Sequence, residues 1–224
     1  MTKMKRSIAA ALCVATFGTT ACASLNNTER GAGIGAGAGG AIGAVIGRQT
    51  GNTARGAIIG AVVGGAAGAV IGRRMDRQAQ ELETIPNTEV QRVGEGIAVT
   101  FESGILFATN SDVIQSAGQS NLRQLAASLQ RYPGTEVLIV GHTDADGSDD
   151  YNMGLSLRRA SAARNYLVGQ GISSSVIRVE GRGESEPVAD NTTAAGKSRN
   201  RRVEVAIFAS EEYRQQVLRE NGSQ

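Results

Sequence analysis

A chain of 224 residues with 41% apolar side chains and no tryptophan holds material for one domain core plus a further segment. Its net charge of +2 rests on Lys3, Lys5 and Arg6; without these three of the 23 basic residues, 20 face 21 acidic ones. No basic stripe with interleaved aromatics remains, which excludes nucleic acid as a partner.

The first residues have the three parts of an export signal. Lys3, Lys5 and Arg6 form a positive start, and Ile8 to Phe17 is an apolar run too short for an ordinary membrane-spanning helix. Thr19-Thr20-Ala21 then places small residues before Cys22. This resembles a bacterial lipobox, which implies a signal over 1–21, lipidation of Cys22 and a lipid-anchored linker over 22–30. Thr19 departs from the leucine usual there, and the alternative is ordinary cleavage after Ala21-Cys22-Ala23. Ala23 after the cysteine favours, by the same resemblance, sorting to the outer membrane. Cys13 would leave with the signal, so no thiol is left for a disulfide, a metal or a nucleophile.

Half of the 30 glycines lie between Gly31 and Gly72. They recur every fourth residue as Gly31, Gly35, Gly39, Gly43 and Gly47, and again as Gly56, Gly60, Gly64, Gly68 and Gly72. Two runs in one register, joined by the polar stretch Arg48 to Arg55, predict a helical hairpin over 31–72. Each interior glycine costs a helix about 1 kcal/mol, a loss that close packing along a small-residue seam offsets. Each run spans about 25 Å, marginal for a bilayer. Insertion, surface lodging and self-association as a homo-oligomer stay open. A Gly35-x-Gly37-x-x-Gly40 pattern lacks the preceding strand of a dinucleotide site.

Residues 73–89 read as a polar helical arm, with Met75, Ala79 and Leu82 on one face and Pro86 as its stop. From Val90 the period changes, and 90–209 reads as an α/β (α+β) domain, a mixed sheet covered by helices. Its strands are Gly96–Phe101, Glu136–Val140, Val176–Gly181 and Arg202–Phe208; its helices carry Leu122, Leu125 and Leu129, and then Asn152 to Val168. The polar tail 210–224 is expected to fray.

The strand Glu136–Val140 runs into Gly141-His142-Thr143-Asp144, an acidic loop and a helix with Arg158 and Arg159. Ligands of α/β sheets collect on such loops beyond strand ends. Angular spacing assigns Leu157, Ala160 and Leu167 to the buried stripe and turns Arg159 away from the core, beside Leu155 and Tyr166. An acid and an arginine so placed can bracket a zwitterion, the carboxylate taking an ammonium and the guanidinium a carboxylate.

Gly-His-Thr-Asp (141–144), Leu-Ser-Leu-Arg-Arg-Ala (155–160), Gly-Arg-Gly-Glu-Ser-Glu-Pro (181–187) and Asn-Arg-Arg-Val-Glu (200–204) stand in the motif order of the OmpA/MotB/Pal-like peptidoglycan-binding domain. The resemblance covers about Val90–Ala209, and the glycine-rich half resembles YiaD-type glycine-zipper outer-membrane lipoproteins. It implies binding of the diaminopimelate centre of a peptidoglycan stem. Asp144 and Arg159 fall on the family's paired residues, Thr143 and Asn110 on loop positions near the ligand, and Arg202 on the second arginine of Asn-Arg-Arg, in a supporting role. The implied protein is non-catalytic and faces the periplasm from the outer membrane, needs no cofactor, and joins membrane to wall. Alternatively the hairpin is the working part, oligomerising as a scaffold or pore with the domain as anchor.

Other readings of the same residues are weaker. His142 is the single histidine and has no triad; it reads as a strand-end packing or hydrogen-bonding residue. Asp144-x-Asp146-Gly-x-Asp149 hints at calcium, but Leu155 stands where an EF-hand loop needs glutamate. Gly196-Lys197-Ser198 lacks the upstream glycine of a P-loop, Asn191 occupying that place.

Overall fold

The structure, a computed structural model, describes residues 51–108 and 110–222. The signal, Cys22, the linker 22–30 and the first glycine run lie outside the described residues.

The chain enters through α1 (Thr53–Gly60) and α2 (Gly65–Leu82), then forms the hairpin β1 (Thr88–Val93) and β2 (Gly96–Glu102). A short α3 (Ser103–Leu106) leads to α4 (Ser116–Arg131), β3 (Thr135–Gly141) and α5 (Asp149–Gly169). A single 3-10 turn (Ser174–Val176) precedes β4 (Ile177–Gly181), and α6 (Ala194–Asn200), β5 (Arg202–Ala209) and α7 (Glu211–Gly222) complete the chain. The strands form one mixed sheet in the order β1-β2-β5-β3-β4, antiparallel except for β3 and β4, which α5 joins in parallel.

Side chains alternate across the strands and build two cores. Ile97, Val99, Phe101, Val137, Ile139, Val203, Val205 and Ile207 meet α2, α4 and α5 on one face. Ala98, Leu138, Val140, Ala206 and Phe208 meet Ala54, Ala57, Ile58 and Ala61 of α1 and its C-terminal cap on the other. Burying both faces explains why β3 from Val137 to Val140 and the end of β5 from Val205 to Ala209 are continuous apolar runs.

The second glycine run is not the single helix expected of one half of the hairpin. It breaks at Ala61–Gly64, with left-handed φ of 77° at Gly64 and 62° at Gly65, and both pieces pack on the C-terminal domain. The break is held from a distance: the Glu95 carboxylate, in the β1–β2 turn, accepts from Val63 N at 2.9 Å and Gly64 N at 2.8 Å. It sits at the N-terminus of α2, where a negative charge is favoured. A Cβ on Gly68 would lie 2.1 Å from Glu95 Oε1, so that glycine makes room for a carboxylate. No helix among the described residues is long and apolar enough to cross a membrane.

Two further expectations change. The polar arm is the second half of α2, continuous with the glycine run, with Met75, Ala79 and Leu82 buried as the pattern required. The tail is the helix α7, which buries Val217 and sends Arg214 Nη1 to the carbonyl of Ala61 at 3.0 Å.

Candidate functional site

A cleft of about 420 Å³ opens beyond the carboxyl end of β3. Gly141, the last residue of β3, lets α5 approach the sheet at backbone distance: a Cβ there would lie 2.1 Å from Ser156 O. The Ser148 side chain caps α5, accepting from Tyr151 N at 3.3 Å, and fixes where the loop ends and the helix begins. The loop between them carries Thr143 and Asp144, and α5 brings Asn152, Leu155 and Arg159 to the same space. Phe107 and Asn110 close the other side, Asn110 with a left-handed φ of 53° that asparagine tolerates.

Asp144 is 7% exposed and fully engaged. Its Oδ2 lies 2.5 Å from Arg201 Nη1, its Oδ1 accepts from Asp146 N at 3.2 Å, and its carbonyl accepts from Asn152 Nδ2 at 3.3 Å. Thr143 N donates to Gly183 O at 2.8 Å, while its buried hydroxyl has no partner among the described residues. That hydroxyl is a donor and acceptor ready for a ligand.

Arg159 is 3% exposed, which corrects the expectation that it turns away from the core. The buried face of α5 runs through Asn152, Leu155, Ser156, Arg159, Ala160, Ala163 and Leu167, whereas Leu157, assigned to that face by spacing, is exposed. Arg159 Nε donates to Ser111 O at 3.0 Å, and the guanidinium lies 5.4 Å from the centre of the Phe107 ring. Among the described residues no carboxylate stands within ion-pair distance of it. Burial lowers its pKa; Tyr151 opposes that shift, Arg201 reinforces it, and Asp144 and Asp112 oppose it. Arginine stays charged regardless, so the cleft holds a desolvated cation without a counter-ion.

Asp144, Arg159, Thr143 and Asn110 thus meet in one cleft, and Arg202 does not. Arg202 is buried on the opposite side of the strand ends, with Nε 2.7 Å from Glu204 Oε1 and Nη2 donating to Glu186 O at 3.0 Å. Its neighbour Arg201 reaches the cleft instead. Alternation along β5 carried the signal, because Val203, Val205 and Ile207 face the larger core while Arg202 and Glu204 share the α1 side.

His142 lies in that second layer, fully buried, with no hydrogen bond to either ring nitrogen. Burial, then the charges of Arg202 and Arg182, hold its pKa well below 6.5. It is neutral, so its 3.9 Å approach to Glu204 Oε1 is a contact and not an ion pair. Around it Glu186 caps α1, accepting from Thr53 N at 3.1 Å and from Thr53 Oγ1 at 2.5 Å, and Arg182 Nε donates to Thr53 Oγ1 at 2.8 Å. No group of carboxylate, cysteine and histidine side chains that could hold a metal exists among the described residues.

Comparisons with known proteins give the family. The OmpA family model matches residues 106–201, which include the four cleft residues and Arg201; the YMGG-like Gly-zipper model matches residues 3–76. The probable lipoprotein YiaD of Escherichia coli is 39% identical over 118 residues, 53% of this chain and 54% of that protein. The outer-membrane lipoprotein YfiB of Pseudomonas aeruginosa is 34% identical over 131 residues, 58% of this chain and 78% of that one. Among solved structures, the cell wall anchor of the type VI secretion system (T6SS) from Pseudomonas aeruginosa superposes with a TM-score of 0.54 at 31% identity, over 62% of this chain and 99% of that one. The chain belongs to the OmpA family and carries a glycine-zipper segment. Its match spans about half the length of YiaD.

Proposed function

We propose that this chain is an outer-membrane lipoprotein that tethers the membrane to the cell wall, its cleft gripping the diaminopimelate of a peptidoglycan stem. The observation that carries the reading is the buried Arg159 guanidinium, which lacks a carboxylate and stands in one cleft with Asp144. Diaminopimelate offers an ammonium and a carboxylate on one carbon, which suits an acid and an arginine held at fixed separation. The names of YiaD, YfiB and the cell wall anchor support the envelope setting. Cys22 would carry the lipid, placing the domain on the periplasmic face, and the glycine zipper would serve for self-association. Packing of the second run on the domain favours the tether over a freely inserting hairpin.

The test is co-sedimentation of the purified full chain with isolated peptidoglycan sacculi. Asp144→Asn and Arg159→Ala should each lose about 2–5 kcal/mol, which weakens binding by about 30-fold to several thousand-fold. Arg158→Ala is the control, since Arg158 is exposed and pairs at 3.6 Å with Asp112. Both cleft variants sedimenting like the unmodified chain, while still folded by circular dichroism, would sink the reading.

A further inference from the structure

Two cations one turn apart on α6 and its C-cap already neutralise the acid loop. Lys197 Nζ lies 2.6 Å from Asp146 Oδ1, and Arg201 Nη1 lies 2.5 Å from Asp144 Oδ2. Among the described residues Arg159 has no such partner, so the cleft they form is short of an anion and not of a cation. The two halves of a zwitterion therefore meet different receptions. A carboxylate finds Arg159 waiting. An ammonium finds Asp144 occupied and must displace a guanidinium, which then loses its counter-ion.

That displacement is mechanically available. The Arg201 backbone is pinned, its N–H donating to Lys197 O at 3.0 Å and its carbonyl accepting from Ser103 N at 2.9 Å. Its side chain is 40% exposed against 9% for that of Asp144, so the arginine can swing into solvent while the acid cannot. A ligand with ammonium and carboxylate on one carbon completes the exchange: the ammonium takes Asp144, and the carboxylate serves Arg159 and the released Arg201. A ligand with an ammonium alone leaves two guanidinium groups side by side without an anion, and like charges in one site repel.

We propose that Arg201 determines specificity, as a counter-ion latch on Asp144 that makes the cleft refuse a plain amine and accept an amino-acid centre. The inference rests on the cleft being the stem-peptide site and adds to it a basis for separating diaminopimelate stems from lysine stems. An ordinary ligand contact would lose affinity for every ligand when removed. A latch instead gains affinity for the ligand it refuses, because a buried carboxylate left without a counter-ion attracts any ammonium.

The experiment titrates the full chain, in detergent, by NMR with three synthetic tetrapeptides, L-Ala-γ-D-Glu-X-D-Ala. X is meso-diaminopimelate, the same residue with its side-chain carboxyl amidated, or L-lysine. The unmodified chain should favour the first over the third by about 100-fold, the scale of one desolvated charge contact. Arg201→Gln should tighten lysine-stem binding and weaken diaminopimelate-stem binding, narrowing that ratio at least about tenfold. Arg201→Lys should keep the discrimination, and Lys197→Gln, which frees Asp146 and not Asp144, should leave it unchanged. The amidated stem should bind poorly to all variants, because it brings Arg159 no anion. Arg201→Gln weakening both charged stems in equal proportion, or altering neither, overturns the latch while leaving the site intact. Failure of the unmodified chain to bind the diaminopimelate stem overturns the site itself, and the latch with it.

Discussion

The two faces of the sheet are covered by helices of different kinds. On one face α4 and α5 bring bulk, Leu122, Leu125, Leu129 and Leu167 among it, and α5 is capped by its own Ser148 with Asp149 and Asp150 in its first turn. On the other face α1 brings three alanines and Ile58, counting its cap. An isolated helix of its eight residues would not hold in water. Its N-terminus has a local cap, Asn52 accepting from Arg55 N at 2.8 Å, but its strongest end charges come from far along the chain. Glu186 stands at its start, 133 residues from Thr53, and Arg214 at its end, 153 residues from Ala61. Each sign matches the helix dipole at that end. A bulky helix is thus held by its own stripe, and a small-residue helix by close approach and remote charges.

That contrast can be broken at either face. The largest effect is expected from Gly141→Ala, which puts a methyl against the Ser156 carbonyl and forces α5 off the sheet. A loss of about 3 kcal/mol in chemical denaturation is expected, with sacculus binding lost as well. A near-neutral change would mean that α5 does not depend on that approach. Glu186→Gln should cost less, about 1–3 kcal/mol, by weakening the charged cap of α1 and the partner of Arg182. Hydrogen exchange should quicken in α1 and leave α5 protected; equal loosening of both would erase the distinction between the two covers.

The smallest effect sharpens the picture of the layer between α1 and the cleft. The folded state keeps His142 neutral, whereas the unfolded chain protonates it near the ordinary value of 6.5. The unfolded state therefore binds more protons as pH falls through that value, and stability declines with it. Denaturation midpoints should drop between pH 7.5 and pH 5.5, and a flat profile would show that His142 is not held neutral.

Most of the domain was legible because its periods were clean. Four of the five strands and both long helices stand where alternation and the leucine spacing put them, and the motif order brought Asp144, Thr143 and Arg159 into one place. Four features were hidden for physical reasons. The face of α5 was misjudged because an arginine is normally discounted from a core, whereas a cleft lets a buried stem carry a charged head. Leu157 took its place in the expected stripe and is 44% exposed. The break in the second glycine run depends on Glu95, some thirty residues away, and period-four glycines suit a helix partner, a sheet or a carboxylate equally well. β1 escaped notice as a half-exposed edge strand, and α7 because Val217 is its one fully buried apolar residue.

The position of the α1 N-terminus bears on how the molecule would carry force. Thr53 meets Glu186 and Arg182; Arg182 N donates to Gly141 O at 3.0 Å, and the next residue, Gly183, receives Thr143 N. The chain therefore enters the domain at the same end of the sheet as the cleft, on the opposite face. If the chain is the tether proposed above, strained between an anchor at Cys22 and a wall ligand at Asp144, the load path would cross one layer of hydrogen-bonded strand ends. Tension entering at Thr53 would load these polar contacts together with Ala54, the first α1 residue of the smaller core, before it reached the larger one.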